Sequence, residues 1–579
     1  MAHRVSFGLR TSSLVRAFSL VWASGLGLLL LSPVGVRAQT ASPSRQTAVS
    51  TPATPDASAR SGAAPAEDET EIAELLDRGR RLEGERRWGE ALTLYEDALR
   101  LHPTAPHFEQ RLYLSRIHYD LGRRYSDRSF RETVRTMDAR QAIDLYSEVL
   151  QQVQRHYVDN PNWRRLADSG ITELEVALAD PLFLEANLPQ APKARVERFR
   201  HDLRSRVGAQ KIDNRHAAVE VAGRAARLCR AELGLAESAT IHEFICGAAN
   251  ALDPYSAFLT ASQLNEVYSQ IEGNFVGLGV ELKSDNGALL IVKVIPGSPA
   301  QRAGIAASDR IVAVDGRSTS ELSTDQAANL LQGQEGSYVT VTAVTAGQAP
   351  RQVRVRREHV EVPSIEDAAI VDSAFGVAYL KLTCFQKTTS RDLDTALWKL
   401  HRQGMRALII DLRKNPGGLL TTAVEVVDKF VDRGTIVSTH GRNRAEDYVY
   451  SAREAGTWRV PLVVLIDGDS ASASEIFAGA IRDFGRGVIV GSRSYGKGSV
   501  QGIFPLNLAN SGLRLTTAKF YSPKGKPFSG IGVTPEVMVR HRVARPVLDQ
   551  ADEAAAPADE ALEEAIRQAR HKIAPAKVR

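Results

Sequence analysis

Cysteine is nearly absent from this chain. Its 579 residues hold three, Cys229, Cys246 and Cys384, and an odd, sparse set is not a disulfide framework. Cys229 and Cys246 flank a turn-like segment and can either pair or sit as buried free thiols. No Cys/His spacing resembles a zinc site, and no phosphate-cradling glycine loop is present. The sequence therefore implies no metal or nucleotide cofactor. The formal charge of +5 is spread along the chain. Without a dense Lys/Arg block interleaved with aromatics, nucleic acid is a poor candidate partner. The apolar stretch at residues 17–31 is short for a membrane span and carries Ser19, Ser24, Gly25 and Gly27.

That stretch reads better as the core of an export signal. Arg4, Arg10 and Arg16 supply a basic start, Pro33 and Gly35 break the run, and Val36-Arg37-Ala38 places a small residue before Gln39. Residues 1–38 are thus expected to direct export, with an uncleaved anchor as the other reading. Residues 39–70 are rich in Ala, Ser, Thr and Pro and cannot bury enough apolar surface to offset chain entropy. They are expected to form a flexible tether.

A chain of this length divides into several domains. From Glu71 the pattern is helical. Gly79, Ala91, Tyr95, Ala98 and Pro103, with Leu75, Leu82 and Trp88, match the spacing of a tetratricopeptide repeat. The next register puts Tyr113 and Tyr125 at positions that need small residues, and there the repeat fails. Residues 71–138 are therefore expected as a repeat-like helical region able to bind a protein partner, and a plain helical bundle is the alternative. Residues 139–267 stay helical, with the charged stretch 193–230 expected as solvated helix. From about residue 358 to 541 apolar strands alternate with helical stretches, an α/β pattern. After Arg540 comes an Ala/Asp/Glu-rich tail, 542–579, with a short helix near Glu560 and no assigned chemistry.

Two residues in the α/β region stand where a buried strand gives way to a loop. Ser472 follows Leu462-Val463-Val464-Leu465-Ile466, and Lys497 follows Val488-Ile489-Val490. Open α/β sheets build sites at such strand ends. A serine needs a base to become a nucleophile, and a lysine serves if its surroundings keep it neutral. Ser470, Ser472 and Ser474 cannot be told apart by chemistry alone, since any of them can be a helix N-cap. The helix expected after them would offer the Ala473 N–H to a developing oxyanion.

Four blocks in order resemble the carboxyl-terminal processing peptidases, or tail-specific proteases. They are Asp411-Leu412-Arg413-Lys414-Asn415-Pro416-Gly417-Gly418, the run from Ser470 to Ala480, Gly496-Lys497-Gly498-Ser499-Val500-Gln501, and Leu515-Thr516-Thr517-Ala518-Lys519-Phe520-Tyr521-Ser522-Pro523. The resemblance spans roughly residues 245–540. It implies Ser472 as nucleophile, Lys497 as general base, Gln501 orienting that lysine, and an oxyanion N–H from Gly418. Asp411, Arg413 and Asn415 are expected to hold the Gly417-Gly418 loop. Asp483 matches an acidic position of the family, and a salt bridge or cap is its other reading. The α/β region is then expected as a crotonase-like core. Residues 268–357 resemble a PDZ domain, with Gly277-Leu278-Gly279-Val280 as the loop for a peptide's terminal carboxylate and Asp285-Asn286-Gly287 as a hairpin turn.

The fold class is thus a multidomain chain of helical N-terminal region, PDZ domain and α/β peptidase core. The function expected is an exported serine endopeptidase that binds substrate C-termini and cleaves nearby. Partners admitted are proteins or peptides with free C-termini, a protein docked on the N-terminal helices, and further copies of the chain. Competing readings are an inactive adaptor that binds tails, an acyl-CoA enzyme on the same core, and a Ser-His-Asp triad using His242, His359 or His401.

Overall fold

The computed structural model describes residues 65–208, 211–285, 288–320, 330–453, 457–539 and 559–573. The expected export signal, most of the expected tether and the Asn286-Gly287 pair lie outside them. Among the described residues no helix is long and apolar enough to cross a membrane.

Helix α1 (Pro65–Gly84) begins inside the stretch expected as tether and is followed by α2 (Trp88–Leu101) and α3 (Pro106–Ser126). Leu82, Ala91, Tyr95, Ala98 and Phe108 form their common core. Gly79 lies against the Tyr95 ring, where a Cβ would come within 2.2 Å of the hydroxyl oxygen, so close helix approach requires glycine there. Tyr113 and Tyr125 do not continue this pattern. The first bonds Ser169 at 2.7 Å, and the second is buried in the next cluster.

Seven helices follow: α4 (Arg128–Thr136), α5 (Ala139–His156), α6 (Trp163–Ala177), α7 (Pro181–Asn187), α8 (Lys193–Val207), α9 (Arg215–Leu233) and α10 (Glu237–Asn250). The charged stretch 193–230 is not merely solvated. Val196, Phe199, Leu203 and Val207 of α8, and Ala218, Val221, Ala222, Ala225 and Ala226 of α9, recur at helical spacing and are buried. Cys229 and Cys246 are both buried free thiols, so the pairing alternative does not hold.

The chain then forms β1 (Ala257–Leu259) and α11 (Ala261–Glu272), whose capping box is Thr260 with Gln263. Next come β2 (Asn274–Gly277), β3 (Val280–Asp285), β4 (Ala288–Val294), the short α12 (Pro299–Arg302), β5 (Arg310–Val314), β6 (Arg317–Ser318), β7 (Tyr338–Val344), β8 (Arg351–Arg356) and β9 (Glu358–Glu361). The expected PDZ segment folds as an antiparallel sheet of order β3-β4-β5-β7-β8, with β6 on β5. Its boundaries differ from the expected 268–357. Residues 268–272 complete α11, and β2 pairs with β9 outside that sheet.

The α/β region contains β10 (Ile365–Asp372), β11 (Val377–Leu382), α13 (Thr389–Arg402), β12 (Ala407–Asp411), α14 (Leu420–Asp428), β13 (Thr435–Gly441), β14 (Tyr448–Ser451) and β15 (Leu462–Ile466). It continues with α15 (Ala473–Asp483), β16 (Val488–Gly491), β17 (Ser499–Pro505), β18 (Gly512–Tyr521), β19 (Val537–Met538) and α16 (Glu560–Ile573). One sheet runs β10-β11-β12-β15-β16-β19, parallel from β11 onward. A second runs β1-β18-β13-β14 with β17 on β18. Its Leu513 and Leu515 join the helical core.

Strands β12 and β15 are buried at every position, as parallel strands covered on both faces must be. Leu408, Ile410, Val464 and Ile466 face α13, α14 and α15. Ala407, Ile409, Val463 and Leu465 face the other way, against Ala561, Ala565 and Ala569 of α16. The tail helix is therefore the second layer of the sheet. Asp559 at its start pairs with Arg413, which in turn holds Asp411. Ala565→Glu would put a carboxylate among these aliphatics. The expected cost is roughly 2–4 kcal/mol, read as a lowered midpoint in urea unfolding. An unchanged midpoint would show that α16 is not a structural layer.

Candidate active site

Three neighbouring strands, β12, β15 and β16, end at one edge of the parallel sheet. The loops leaving them carry Gly417 and Gly418, Ser472, and Lys497. Parallel order brings these three loops together although they lie far apart in sequence.

Ser472 precedes the first residue of α15 with φ 60° and ψ −115°, a conformation that costs a non-glycine residue roughly 1–3 kcal/mol. Neighbouring bonds hold it there. The Ser472 N–H donates to Glu475 Oε2 at 2.7 Å, the Ala471 N–H donates to the Asn415 carbonyl at 3.0 Å, and the Ser472 carbonyl accepts from the Glu475 and Ile476 N–H groups. The structure separates the three serines. Ser470 Oγ donates to the Leu412 carbonyl at 2.8 Å, and Ser474 Oγ to the Asn415 carbonyl at 2.9 Å. Ser472 Oγ is buried and has no hydrogen-bond partner among the described residues. Only the middle hydroxyl is left uncommitted.

Glu475 is the residue that sequence reasoning left without a role. Its buried carboxylate accepts four bonds: from the N–H groups of Ser472, Gly496 (2.7 Å) and Lys497 (2.8 Å), and from Ser494 Oγ (2.6 Å). Ser472 and Lys497 donate to the same oxygen. Burial raises the Glu475 carboxyl above its ordinary range, and the Ser494 and backbone donors work against that. The spacing Ser472-x-x-Glu475, a capping-box signature, is the sequence signal that points to it.

Lys497 is 1% exposed. Its Nζ lies 4.7 Å from the centre of the Tyr255 ring. Burial pushes the amine well below its ordinary range. Arg514 adds to that, and Asp253 and Glu475 oppose it. Gln501, on β17, is 1% exposed, but no hydrogen bond joins it to the lysine as expected. Its Nε2 donates to Ser499 Oγ at 3.0 Å and Thr516 Oγ1 at 3.4 Å, and its Oε1 has no partner. Strand pairing of β17 with β18 sets that orientation.

The Gly417-Gly418 loop presses on Ser472. A Cβ on Gly417 (φ 105°) would lie 2.8 Å from that of Ser472. The Gly417 N–H is engaged by Asn415 Oδ1 at 2.9 Å, and Asn415 Nδ2 holds the Leu382 carbonyl at 2.7 Å. Neither the Gly418 nor the Ala473 N–H has an acceptor among the described residues. Asp411 accepts from Arg413 and Tyr379, bracing the strand end. Asp483 stands at the far end of α15, paired with Arg482 and accepting the Lys524 N–H. It belongs to the salt-bridge and cap reading. His242 is buried in the helical region with its pKa lowered to about 4 by burial, His359 is exposed on β9, and His401 packs against Trp398 and Trp458. None of them approaches Ser472. From outside, Arg100 of α2 lies 4.8 Å over the Tyr495 ring in the lysine loop.

In the expected PDZ segment, Leu278 and Gly279 accept from Ala300 and Ile295 through their carbonyls, and their N–H groups have no acceptor among the described residues. Gly279 has φ 80°, and a Cβ there would lie 2.3 Å from that of Ser298. Strand β3 beside this loop is the sheet's edge.

The lysine's burial carries a stability consequence. Unfolded lysine takes its proton below about 10.4, whereas folded Lys497 does so only at much lower pH. Between those values the unfolded chain binds more protons, so this group's contribution to stability improves as pH rises. Lys497→Met should therefore raise the melting temperature by roughly 2–5 °C at pH 7, with the gain shrinking as the pH approaches 10. A variant less stable than the parent at pH 7 would contradict a neutral buried amine.

Residues 376–539 match the model of peptidase family S41, and residues 290–344 that of a PDZ domain. The carboxy-terminal-processing protease of Bartonella bacilliformis is 37% identical over 305 residues, covering 52% of this chain and 69% of that protein. A probable CtpA-like serine protease of Staphylococcus epidermidis is 32% identical over 289 residues, 50% of this chain and 58% of its own length. The solved structure of the photosystem II D1 C-terminal processing protease is 27% identical with a TM-score of 0.38, covering 69% of this chain and 92% of that one. With a PDZ domain ahead of a matching S41 segment, this chain belongs to the carboxy-terminal-processing proteases, which are serine-type peptidases.

Proposed function

We propose that the chain is an endopeptidase working through a Ser472–Lys497 dyad, guided to substrate C-termini by its PDZ domain. The observation that supports this reading is the uncommitted Ser472 hydroxyl, held in a strained turn and stapled through Glu475 to a buried lysine. Ser472 Oγ attacks the scissile carbonyl as neutral Lys497 Nζ takes its proton. The oxyanion lies between the Gly418 and Ala473 N–H groups, donors with no acceptor among the described residues. Collapse breaks the C–N bond, and the lysine proton passes to the leaving amine. Neutral again, the lysine activates water to hydrolyse the ester. Ser472 Oγ has no hydrogen-bond partner among the described residues, so the two groups close up when substrate binds, a common feature of free enzymes. Gln501 Oε1, buried and without a partner, is available to the lysine after a side-chain rotation. With Ser472, Lys497 and Gln501 all present, the inactive-adaptor reading is not favoured.

Ser472→Ala, Lys497→Ala and Lys497→Arg should each abolish cleavage of an unfolded protein substrate. The arginine variant fails because a guanidinium stays protonated. Ser474→Ala loses its bond to the Asn415 carbonyl, and Ser470→Ala loses bonds to the Leu412 carbonyl and to Asp467, about 1 kcal/mol for each bond; both should keep measurable activity. The parent's kcat/KM should rise with pH along a single limb. An active Lys497→Arg enzyme, or a flat profile, would sink the dyad.

In full-length Ser472→Ala protein, a peptide ending in a free carboxylate should bind at least tenfold tighter than its amide. Gly279→Pro should remove that difference, since proline cannot adopt φ 80° and lacks the N–H. Equal affinity for acid and amide in calorimetric titration would show that the loop does not read the terminus.

A further inference from the structure

The wall behind Lys497 comes from the helical half of the molecule. The turn at residues 253–256 lays the Tyr255 ring 4.7 Å from Nζ. Asp253 makes that turn rigid. Its carboxylate accepts from the N–H groups of Tyr255 (2.7 Å) and Ser256 (2.9 Å) and from Ser256 Oγ (2.8 Å). Strand β18 then grips the turn at two points. Arg514 Nε donates to the Tyr255 carbonyl at 2.8 Å, and the Thr516 N–H donates to Ser256 Oγ at 3.3 Å. Arg514 is half-buried and lines a cavity of about 100 Å³ together with Asp120, Arg123 and Gln263. Among the described residues no carboxylate forms an ion pair with it.

We propose that Arg514 is a positioning residue for Lys497: it pins the turn that sets Tyr255 against Nζ and brings a second cation into the wall behind the amine. The inference rests on the reading of Lys497 as general base. Two cations in a site of low dielectric do not both keep their protons, and a guanidinium does not give its proton up. Asp253 and Glu475 attract a charged ammonium, but their carboxylates already accept three and four hydrogen bonds. The Tyr255 ring face also favours a cation. Arg514 itself faces Asp120 and Asp253 of one sign and Arg116 and Arg123 of the other. With burial on its side, the guanidinium tips this balance toward the free amine.

The experiment is the pH dependence of kcat/KM for full-length protein on fluorescein-labelled casein, an unfolded probe. It is paired with the rate at which a fluorophosphonate labels Ser472. Arg514→Gln should lose roughly tenfold on the rising limb, with the deficit closing toward alkaline pH, and Arg514→Lys, whose amine can give up its proton, should recover that limb only in part. If Arg514→Gln does not fold, Arg514→Met fills the stem's volume without charge and carries the same comparison. A loss equal at every pH, or no loss, overturns the inference and leaves the dyad standing provided Lys497→Ala is inactive. An active Lys497→Ala enzyme overturns the dyad and this inference together.

Discussion

The carboxylate of Glu475 is the constraint on which the site depends. It lies between two loops that are otherwise joined through the backbone, as where the Tyr495 N–H donates to the Ser470 carbonyl at 3.0 Å, and it draws donors from both. One oxygen takes the amide of the nucleophile candidate and the amide of the base candidate together. That arrangement stores the strain at Ser472, because a residue at φ 60° and ψ −115° relaxes unless its amide is held. It also fixes where the lysine loop begins its return to β17. A carboxylate buried without these donors would be costly. With all four it becomes a joint, and each loop depends on the other for its shape.

Below this joint the sheet supplies rigidity on both faces. Helices α13, α14 and α15 cover one face, and α16 covers the other with alanines that let it approach closely. The Asp411–Arg413–Asp559 chain ties that outer helix to the end of β12, the same strand end that leads to Gly417 and Gly418. The second sheet is shared with the helical half, since β1 pairs with β18 and Leu513 and Leu515 enter the helical core. The base is therefore walled by residues from two structural halves. Neither half alone would enclose it.

What could be read in the sequence was what local pattern encodes. Strands β12, β15 and β16 show as apolar runs, and the loops after them show by where those runs stop. Contacts that join distant segments left little local trace. The helix near Glu560 was legible as a helix, but its buried positions are three alanines and Glu564, too weakly apolar to announce a covering layer. The stretch 193–230 looked solvated because its charges outnumber a buried face made largely of alanine and valine. Arg514 and Tyr255 are 259 residues apart, and nothing near either one names the other. The choice among Ser470, Ser472 and Ser474 required knowing which carbonyls lay nearby, and those belong to the loop after β12.

Burial creates a tension that the mechanism has to resolve. Ser472 is 0% exposed and Lys497 1%. The exclusion of water that keeps an amine uncharged also excludes a peptide. Any opening that admitted bulk water to Nζ would restore its proton and disable it. The consistent solution is replacement rather than opening. A substrate segment that enters as covering side chains withdraws keeps the dielectric low throughout. The wall formed by Tyr255, Asp253 and Arg514 is braced by hydrogen bonds and strand pairing, so it is unsuited to moving. On the Tyr495 side the ring lies under Arg100 of α2, while the backbone of that loop stays bonded to Ser470 and Glu475, so the ring rather than the loop is what can withdraw. Approach from the side of the helical N-terminal region therefore costs least and leaves the base in the surroundings that make it one.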